Sequence, residues 1–174
     1  LFMLDRPFYD SGQWQQEMPA SYLHDLTSRM QELGVAIAGI KLGDQGLYLH
    51  TGSQQRLEAL RHLIQPESWA NNELWSPIFK VDVKGTVGAG DSAIAGFLAS
   101  LVKGLNPKDA ITLACAVGAC CVEAPDASSG IRSWEETLAR IQKGWTRGFK
   151  GSLQNWRQLD NGVYSKILSS HDGV

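Results

Sequence analysis

A glycine-rich segment, G-T-V-G-A-G-D at residues 85–91, constrains the fold of this chain more than any other feature. The alternating apolar and polar side chains of residues 78–83 predict a strand before it, and residues 91–102 have the spacing of a helix. The first N–H groups of a helix have no partner inside the helix, and the helix dipole adds partial positive charge there. Because small side chains let an anion approach these groups, the segment predicts a phosphate site.

The acidic residue at the end of this segment has two interpretations, and both are open at this point. Asp91 lies at the mouth of the predicted anion site, where a carboxylate can act as general base toward an attacking hydroxyl. Aspartate is also a residue type that caps helices, in which case the turn is purely structural. The residues alone do not choose between these two roles.

The rest of the chain alternates helical and strand patterns. Residues 19–33 predict a helix, residues 35–40 a strand, residues 43–46 a turn and residues 47–49 a returning strand, an order typical of α/β layers. Further helices are predicted over residues 57–64, over residues 107–121 after the cap Asn106, and after the capping box that Ser133 opens, whereas residues 66–77 look irregular. The expected inner face of the helix after the glycine-rich turn consists of Ile94, Phe97, Leu98 and Leu101.

Length, charge and cysteine content exclude several function classes. The 174 residues fit one domain, and a net charge of −2 provides no basic footprint for nucleic acid. The longest near-apolar run, residues 110–122, is shorter than the roughly 20 residues that span a bilayer, so no membrane segment is predicted. The three cysteines fall in this run, which indicates a reducing, cytoplasmic setting. The four histidines show no ligand spacing, so no metal site is predicted on the chain.

The glycine-rich segment resembles the D-T-x-G-A-G-D signature of the ribokinase/PfkB family of carbohydrate kinases. The resemblance extends from about residue 35 to residue 141, because a strand and a G-x-x-G turn precede the signature and an apolar helix follows it. It implies a Rossmann-like, three-layer αβα fold of the ribokinase type, of which this chain is the C-terminal, nucleotide-binding half. Residues 1–174 then form a single α/β domain, with residues 145–174 left unassigned.

The resemblance also implies roles for individual residues. Asp91 is the expected general base, and the backbone N–H groups of Gly88, Ala89, Gly90 and Asp91 are the expected anion hole. The expected substrates are ATP, with Mg²⁺, and a small sugar or nucleoside, and the family also allows a homodimer. The residues expected to bind the nucleotide are Lys41, Gly43, Gly46, Thr86 and Cys115, with residues 115–122 forming a wall of the adenine pocket.

The chain departs from the family pattern in two respects. Gly85 stands where the family has its first aspartate, so the resemblance does not extend to a site for a monovalent cation such as K⁺. No sugar site, lid or N-x-x-E stretch is found upstream of the signature. Two further hypotheses therefore stand beside a kinase, namely a non-catalytic nucleotide- or phosphate-binding module (an inactive fragment included) and an α/β domain that binds no nucleotide.

Overall fold

The computed structural model describes residues 6–12, 19–148 and 155–167. These residues form a mixed α/β arrangement with one sheet. The helices are α1 (Arg6–Ser11), α2 (Ala20–Glu32), α3 (Gln54–Leu57), α4 (Pro66–Trp69), α5 (Ala89–Val102), α6 (Pro107–Cys121) and α7 (Trp134–Gln142). The strands are β1 (Ile37–Lys41), β2 (Leu47–Thr51), β3 (Glu73–Ser76), β4 (Trp156–Gln158) and β5 (Tyr164–Lys166). None of the helices in these ranges is long and apolar enough to span a bilayer.

The described strands pair antiparallel in the order β1-β2-β3-β5-β4. A 3₁₀ turn, Gly43–Gln45, joins β1 to β2 and fixes a register in which Ile40 lies opposite Tyr48. Strand β3 lies between β2 and β5, and all four of its residues are buried. Because both of its faces are covered, its sequence lacks the alternation that marks a half-exposed strand.

Helices cover both faces of the sheet, as the predicted three-layer architecture requires. Leu23 of α2 packs against Tyr48 and Trp75 on one face. Leu49 and Leu74, each one position away in its strand, pack with α6 on the other face. Since successive side chains of a strand point to opposite faces, this alternation separates two surfaces that are chemically different.

Small residues bring α5 and α6 into close contact. A Cβ placed on Gly118 would lie 3.1 Å from the Ala89 carbonyl oxygen, and one on Gly96 would lie 2.9 Å from Val117 Cγ2. Ser92, Gly96 and Ser100 form the buried face of α5. The predicted inner face is therefore wrong in part, because Ile94 and Leu98 are 45% and 53% exposed, whereas Phe97 and Leu101 are partly buried against the core.

Two other sequence predictions fail in this region. Residues 78–83 do not form a strand of the sheet. The described backbone around them makes a single bridge, between Phe79 and Arg147, which is flanked by hydrogen bonds from the Lys80 N–H to the Thr146 carbonyl and from the Gly148 N–H to the Ile78 carbonyl. The segment over residues 66–77 is regular, since it contains α4 and β3. The helical spacing of residues 57–64 is confirmed only in part, by one short helix and a 3₁₀ turn.

The sequence left residues 145–174 unassigned, and the described part of them adds two strands to the sheet. β4 and β5 form an antiparallel hairpin in which Arg157 lies opposite Ser165. β5 then pairs with β3, where Tyr164 lies opposite Trp75. Apolar residues at 149 and 153, which share the spacing of Trp145 and Trp156, lie outside the described residues.

Candidate functional site

A cavity of about 370 Å³ lies where the β1–β2 turn, residues 78–86, the start of α5 and the middle of α6 meet. Seven of the nine residues predicted for the site line it: Lys41, Gly43, Gly46, Thr86, Ala89, Gly90 and Cys115. Gly88 and Asp91 belong to the same turn but are not among the lining residues. The structure therefore gathers residues that are up to 74 positions apart in sequence (41 to 115) around one cavity.

The glycine-rich turn owes its shape to Gly88. Its φ of +79° lies in the left-handed region, which residues other than glycine rarely adopt. A Cβ at this position would lie 2.6 Å from the Ala127 carbonyl oxygen, so the loop after α6 packs directly on the turn. The Gly88 carbonyl accepts the first helical hydrogen bond, from the Ser92 N–H at 2.8 Å. This geometry starts α5 at Ala89.

The first turn of α5 exposes backbone donors. Among the described residues, the N–H groups of Gly90 and Asp91 have no hydrogen-bond acceptor, whereas the Ala89 N–H reaches the Thr86 carbonyl at 3.4 Å. Unpaired N–H groups at a helix start, with the dipole of a 14-residue helix behind them, favour an anion.

A lysine adds a full positive charge at this helix start. The Lys41 Nζ lies 2.7 Å from the point where a Cβ on Gly90 would stand, so its side chain crosses directly over the first turn of α5. Lys41 is exposed at the end of β1 and lines the cavity. Backbone N–H groups and an ammonium thus converge on one place, which is the donor set that a phosphate group requires.

The β1–β2 turn forms the opposite rim of the cavity. Gly43 and Gly46 have φ values of +59° and +104°, and a Cβ on Gly46 would collide with the Ser76 carbonyl oxygen. The Trp75 indole N–H donates to the Gln45 carbonyl at 2.9 Å and holds the turn against β3. Gly46 is required here because the backbone of β3 approaches the turn closely, whereas Gly43 is favoured by its positive φ alone.

One wall of the cavity is apolar. Cys115, Gly118, Ala119 and Val122 lie along one side of α6 and its C-terminal end, at spacings of three and four residues. Burial raises the pKa of the Cys115 thiol, which stays protonated and donates to the Ser76 carbonyl at 3.4 Å. A flat wall of small side chains suits a planar, uncharged ring.

Sequence reasoning missed the facing wall, to which Ile78, Phe79, Val81 and Val83 contribute. Phe79 is held between two side chains of the segment after α7. Its ring stacks on Trp145 with centroids 4.4 Å apart, and the Arg147 guanidinium lies 3.8 Å from its centroid. Burial lowers the pKa of Arg147 to about 10. No local sequence signal marks this wall, because the residues that fix it lie more than 60 positions away.

The predicted base occupies the first turn of α5. Asp91 is exposed, and its own backbone N–H is one of the two free N–H groups that would face a phosphate. Asp91 does not cap the helix, because Gly88 is the cap residue and no side-chain hydrogen bond closes this end of α5. The capping interpretation of Asp91 is therefore not supported by the geometry.

Comparison with known proteins identifies the family of this chain. The model of the pfkB family carbohydrate kinases matches residues 21–134, which is more than half of the chain. The chain therefore belongs to this family. It is 33% identical over 105 residues to the 2-dehydro-3-deoxygluconokinase of Bacillus subtilis (strain 168), covering 59% of this chain and 26% of that protein.

Solved structures give the same result for the fold. The ribokinase of Thermotoga maritima matches with 29% identity and a TM-score of 0.54, covering 68% of this chain and 34% of that one. The aminoimidazole riboside kinase of Salmonella enterica, solved with aminoimidazole riboside and an ATP analog, matches with 26% identity and a TM-score of 0.50, covering 67% and 35%. The chain thus has part of a ribokinase-type fold and spans between a quarter and about a third of the length of these relatives.

Proposed function

We propose that this chain supplies the nucleotide site and the general base for ATP-dependent phosphoryl transfer to a hydroxyl group of a sugar or nucleoside. The observation that carries the proposal is the cavity in which Lys41 and the free N–H groups at the start of α5 face an apolar wall. A polyphosphate and a planar base are the two halves of ATP, and the cavity offers one surface for each.

The chain's own groups would hold ATP in the following way. The base would lie between Phe79 and the small side chains of α6, and the β- and γ-phosphates would reach the start of α5. Lys41 would neutralise part of their charge, and the N–H groups of Gly90 and Asp91 would donate to the γ-phosphate oxygens as it transfers. Donors already in place cost no reorganisation when charge develops, and one such donor contributes about 3 to 4 kcal/mol to lowering a barrier. Mg²⁺ bound to the phosphates would supply further charge neutralisation.

Asp91 is the proposed general base. Its carboxylate follows directly on the proposed anion hole and is exposed, so an acceptor hydroxyl can approach both at once. Asp91 would take the hydroxyl proton while the hydroxyl oxygen forms its bond to the γ-phosphorus and the bond to the β-phosphate oxygen breaks. Sugars and nucleosides are the proposed acceptors because the relatives named above are kinases of such compounds.

A nucleotide-binding role without catalysis is the second candidate. Gly85, at the position of the signature's first aspartate, favours it, since a Cβ there would lie 2.8 Å from the Pro125 carbonyl oxygen. The loop after α6 leaves too little room at this position for the aspartate that the signature carries.

A chimeric enzyme tests the catalytic proposal. Residues 21–134 of this chain would replace the matching segment of the Bacillus subtilis kinase, and phosphorylation of 2-dehydro-3-deoxygluconate would be measured. We expect turnover in the chimera, and Asp91→Asn should lower kcat by about 10²- to 10⁴-fold with an unchanged KM for ATP. Asp109→Asn is the matched control, because Asp109 lies in the first turn of α6 and not in the cavity lining.

The outcomes separate the two candidates. If Asp91→Asn and Asp109→Asn retained equal turnover, Asp91 would not be the base. A folded chimera that binds ATP but transfers no phosphate would favour the second candidate, the nucleotide-binding module.

A further inference from the structure

Three potential metal ligands meet on the face of the sheet opposite the cavity. His24 comes from α2, His50 from β2 and Glu73 from β3, and one ligand atom of each lies within 4.8 Å of the others. The two imidazole rings stack with centroids 5.2 Å apart, and the His24 Nδ1 lies 3.0 Å from the Glu73 Oε2. No local motif marks this cluster, because its three residues lie 23 to 49 positions apart in sequence.

The Thr27 side chain orients the ring of His50. The Thr27 hydroxyl donates its proton to the Leu23 carbonyl at 2.7 Å, so its oxygen accepts from the His50 Nδ1 at 2.8 Å. This arrangement places the ring proton of His50 on Nδ1 and leaves the lone pair on Nε2. Histidines that bind metals are oriented in this way, with the other ring nitrogen donating to a fixed oxygen.

The carboxylate is oriented as well. The Tyr48 hydroxyl donates to the Glu73 Oε1 at 2.7 Å and leaves Oε2 directed at His24. The Glu73 side chain is only 5% exposed, and a buried carboxylate requires a cationic partner. Burial and two fixed oxygens make Glu73 the central ligand of the cluster.

A cationic group already contacts two of the three residues of this cluster. The Lys166 Nζ lies 3.0 Å from the Glu73 Oε2 and 3.1 Å from the His24 Nδ1. An ammonium can donate to both atoms only if the His24 Nδ1 carries a lone pair, and that lone pair then faces the lone pairs of Glu73. The cluster therefore attracts positive charge from two ligand atoms at once, which is what a bound cation would use.

We propose that His24, His50 and Glu73 bind a divalent transition-metal ion, with Zn²⁺ as the fitting ion, and that Lys166 swings aside when it binds. Two imidazoles and one carboxylate form a ligand set that Zn²⁺ accepts, with a water in the fourth position. The ion can enter from solvent because the His24 side chain is 38% exposed. The Lys166 side chain is 26% exposed and can leave by the same route.

Metal content of the intact 174-residue chain is the first test. The chain would be dialysed against buffered Zn²⁺, and bound metal would be measured by mass spectrometry together with the Tm. We expect one Zn²⁺ per chain and a higher Tm in its presence. The Co²⁺-loaded chain should show visible absorption bands of a four-coordinate ion with nitrogen and oxygen ligands.

Two variants identify the ligands. His50→Gln should weaken Zn²⁺ binding more than about a hundredfold, since even second-sphere changes reach that size. His62→Gln is the matched control, because His62 is exposed and outside the cluster, and its affinity should equal that of the wild type. Lys166→Met should strengthen binding about tenfold, because it removes a like charge from the site.

The proposal is overturned if the folded wild-type chain retains no Zn²⁺, or if Zn²⁺ binds only to Lys166→Met. In the second case the ammonium would be the native cation of the cluster. Equal Zn²⁺ affinity of His50→Gln and His62→Gln would also overturn it. Should His50→Gln fail to fold, the wild-type stoichiometry and Co²⁺ spectrum still decide the question.

Discussion

The two faces of the sheet differ in how they use the same strands. Leu47 of β2 lines the cavity and Leu49 packs with α6, whereas Tyr48 and His50 face α2 and the polar cluster around Glu73. One face combines glycines, small side chains and free N–H groups, and the other combines imidazole, carboxylate, phenol and ammonium groups. The first face is built around backbone donors, whereas the second is built around side chains that satisfy one another.

The two sites also differ in how their residues are distributed along the sequence. The anion site is contained in seven consecutive residues plus Lys41, so its chemistry is visible before any fold is known. The polar cluster needs the β2–β3 register, in which His50 lies opposite Glu73, and the docking of α2 across both strands. Substitutions in the polar cluster should therefore leave ATP binding unchanged, and substitutions in the anion site should leave the polar cluster unchanged.

Gly88→Ala should give the largest effect on stability. The variant needs φ of +79° for an alanine and places a Cβ 2.6 Å from the Ala127 carbonyl oxygen, so we expect a loss of about 3 kcal/mol in the free energy of unfolding. Gly104→Ala is the matched control, because its φ is +69° and nothing lies within 4 Å, and it should lose about 1 kcal/mol. Urea unfolding measures both. Equal losses would show that the contact with Ala127 does not shape the turn.

Tyr48→Phe should have the next largest effect, and only on the second face. The variant leaves the buried Glu73 Oε1 without the donor that now lies at 2.7 Å, and an unsatisfied buried acceptor costs about 1 to 3 kcal/mol. Urea unfolding should show this loss in the free energy of unfolding, and calorimetric titration should show an unchanged affinity for ATP. A loss of ATP affinity at unchanged stability would break the separation of the two faces.

Lys41→Met should have the smallest effect, and only on the first face. Removing the ammonium above the start of α5 should weaken ATP binding about tenfold, because this charge would contact the β- and γ-phosphates. AMP binding should be unchanged, because AMP lacks these two phosphates. Lys84→Met is the control, because Lys84 is exposed and does not line the cavity. Equal ATP affinity in the two variants would remove Lys41 from the site.

Local chemistry made part of the fold predictable from the sequence. Asn106 accepts from the Asp109 N–H as the cap of α6, and Ser133 and Glu136 form the predicted capping box of α7. The turn at residues 43–46 was predicted for the same reason, because glycines report a backbone requirement directly. In each case the decisive contacts lie within a few residues of one another.

The failures come from contacts that lie far apart in sequence. The strand β3 was missed because Glu73 to Ser76 are all buried between two neighbours and show no alternation. Ile94 and Leu98 were placed inside because they are apolar, but Gly96 and Ser100 allow α6 to pack so closely that the small residues take the inner face. The polar cluster around Glu73 has no recognisable sequence motif, because its residues come from three separate elements of the fold.

Calorimetric titration of this chain with Mg-ATP, and separately with AMP, tests the central claim most directly. If Lys41 and the start of α5 form a phosphate site, ATP should bind with a higher affinity than AMP, and the difference should shrink in Lys41→Met. A folded chain that binds ATP no more tightly than AMP would contradict the account, because the free N–H groups of Gly90 and Asp91 would then serve no distal phosphate.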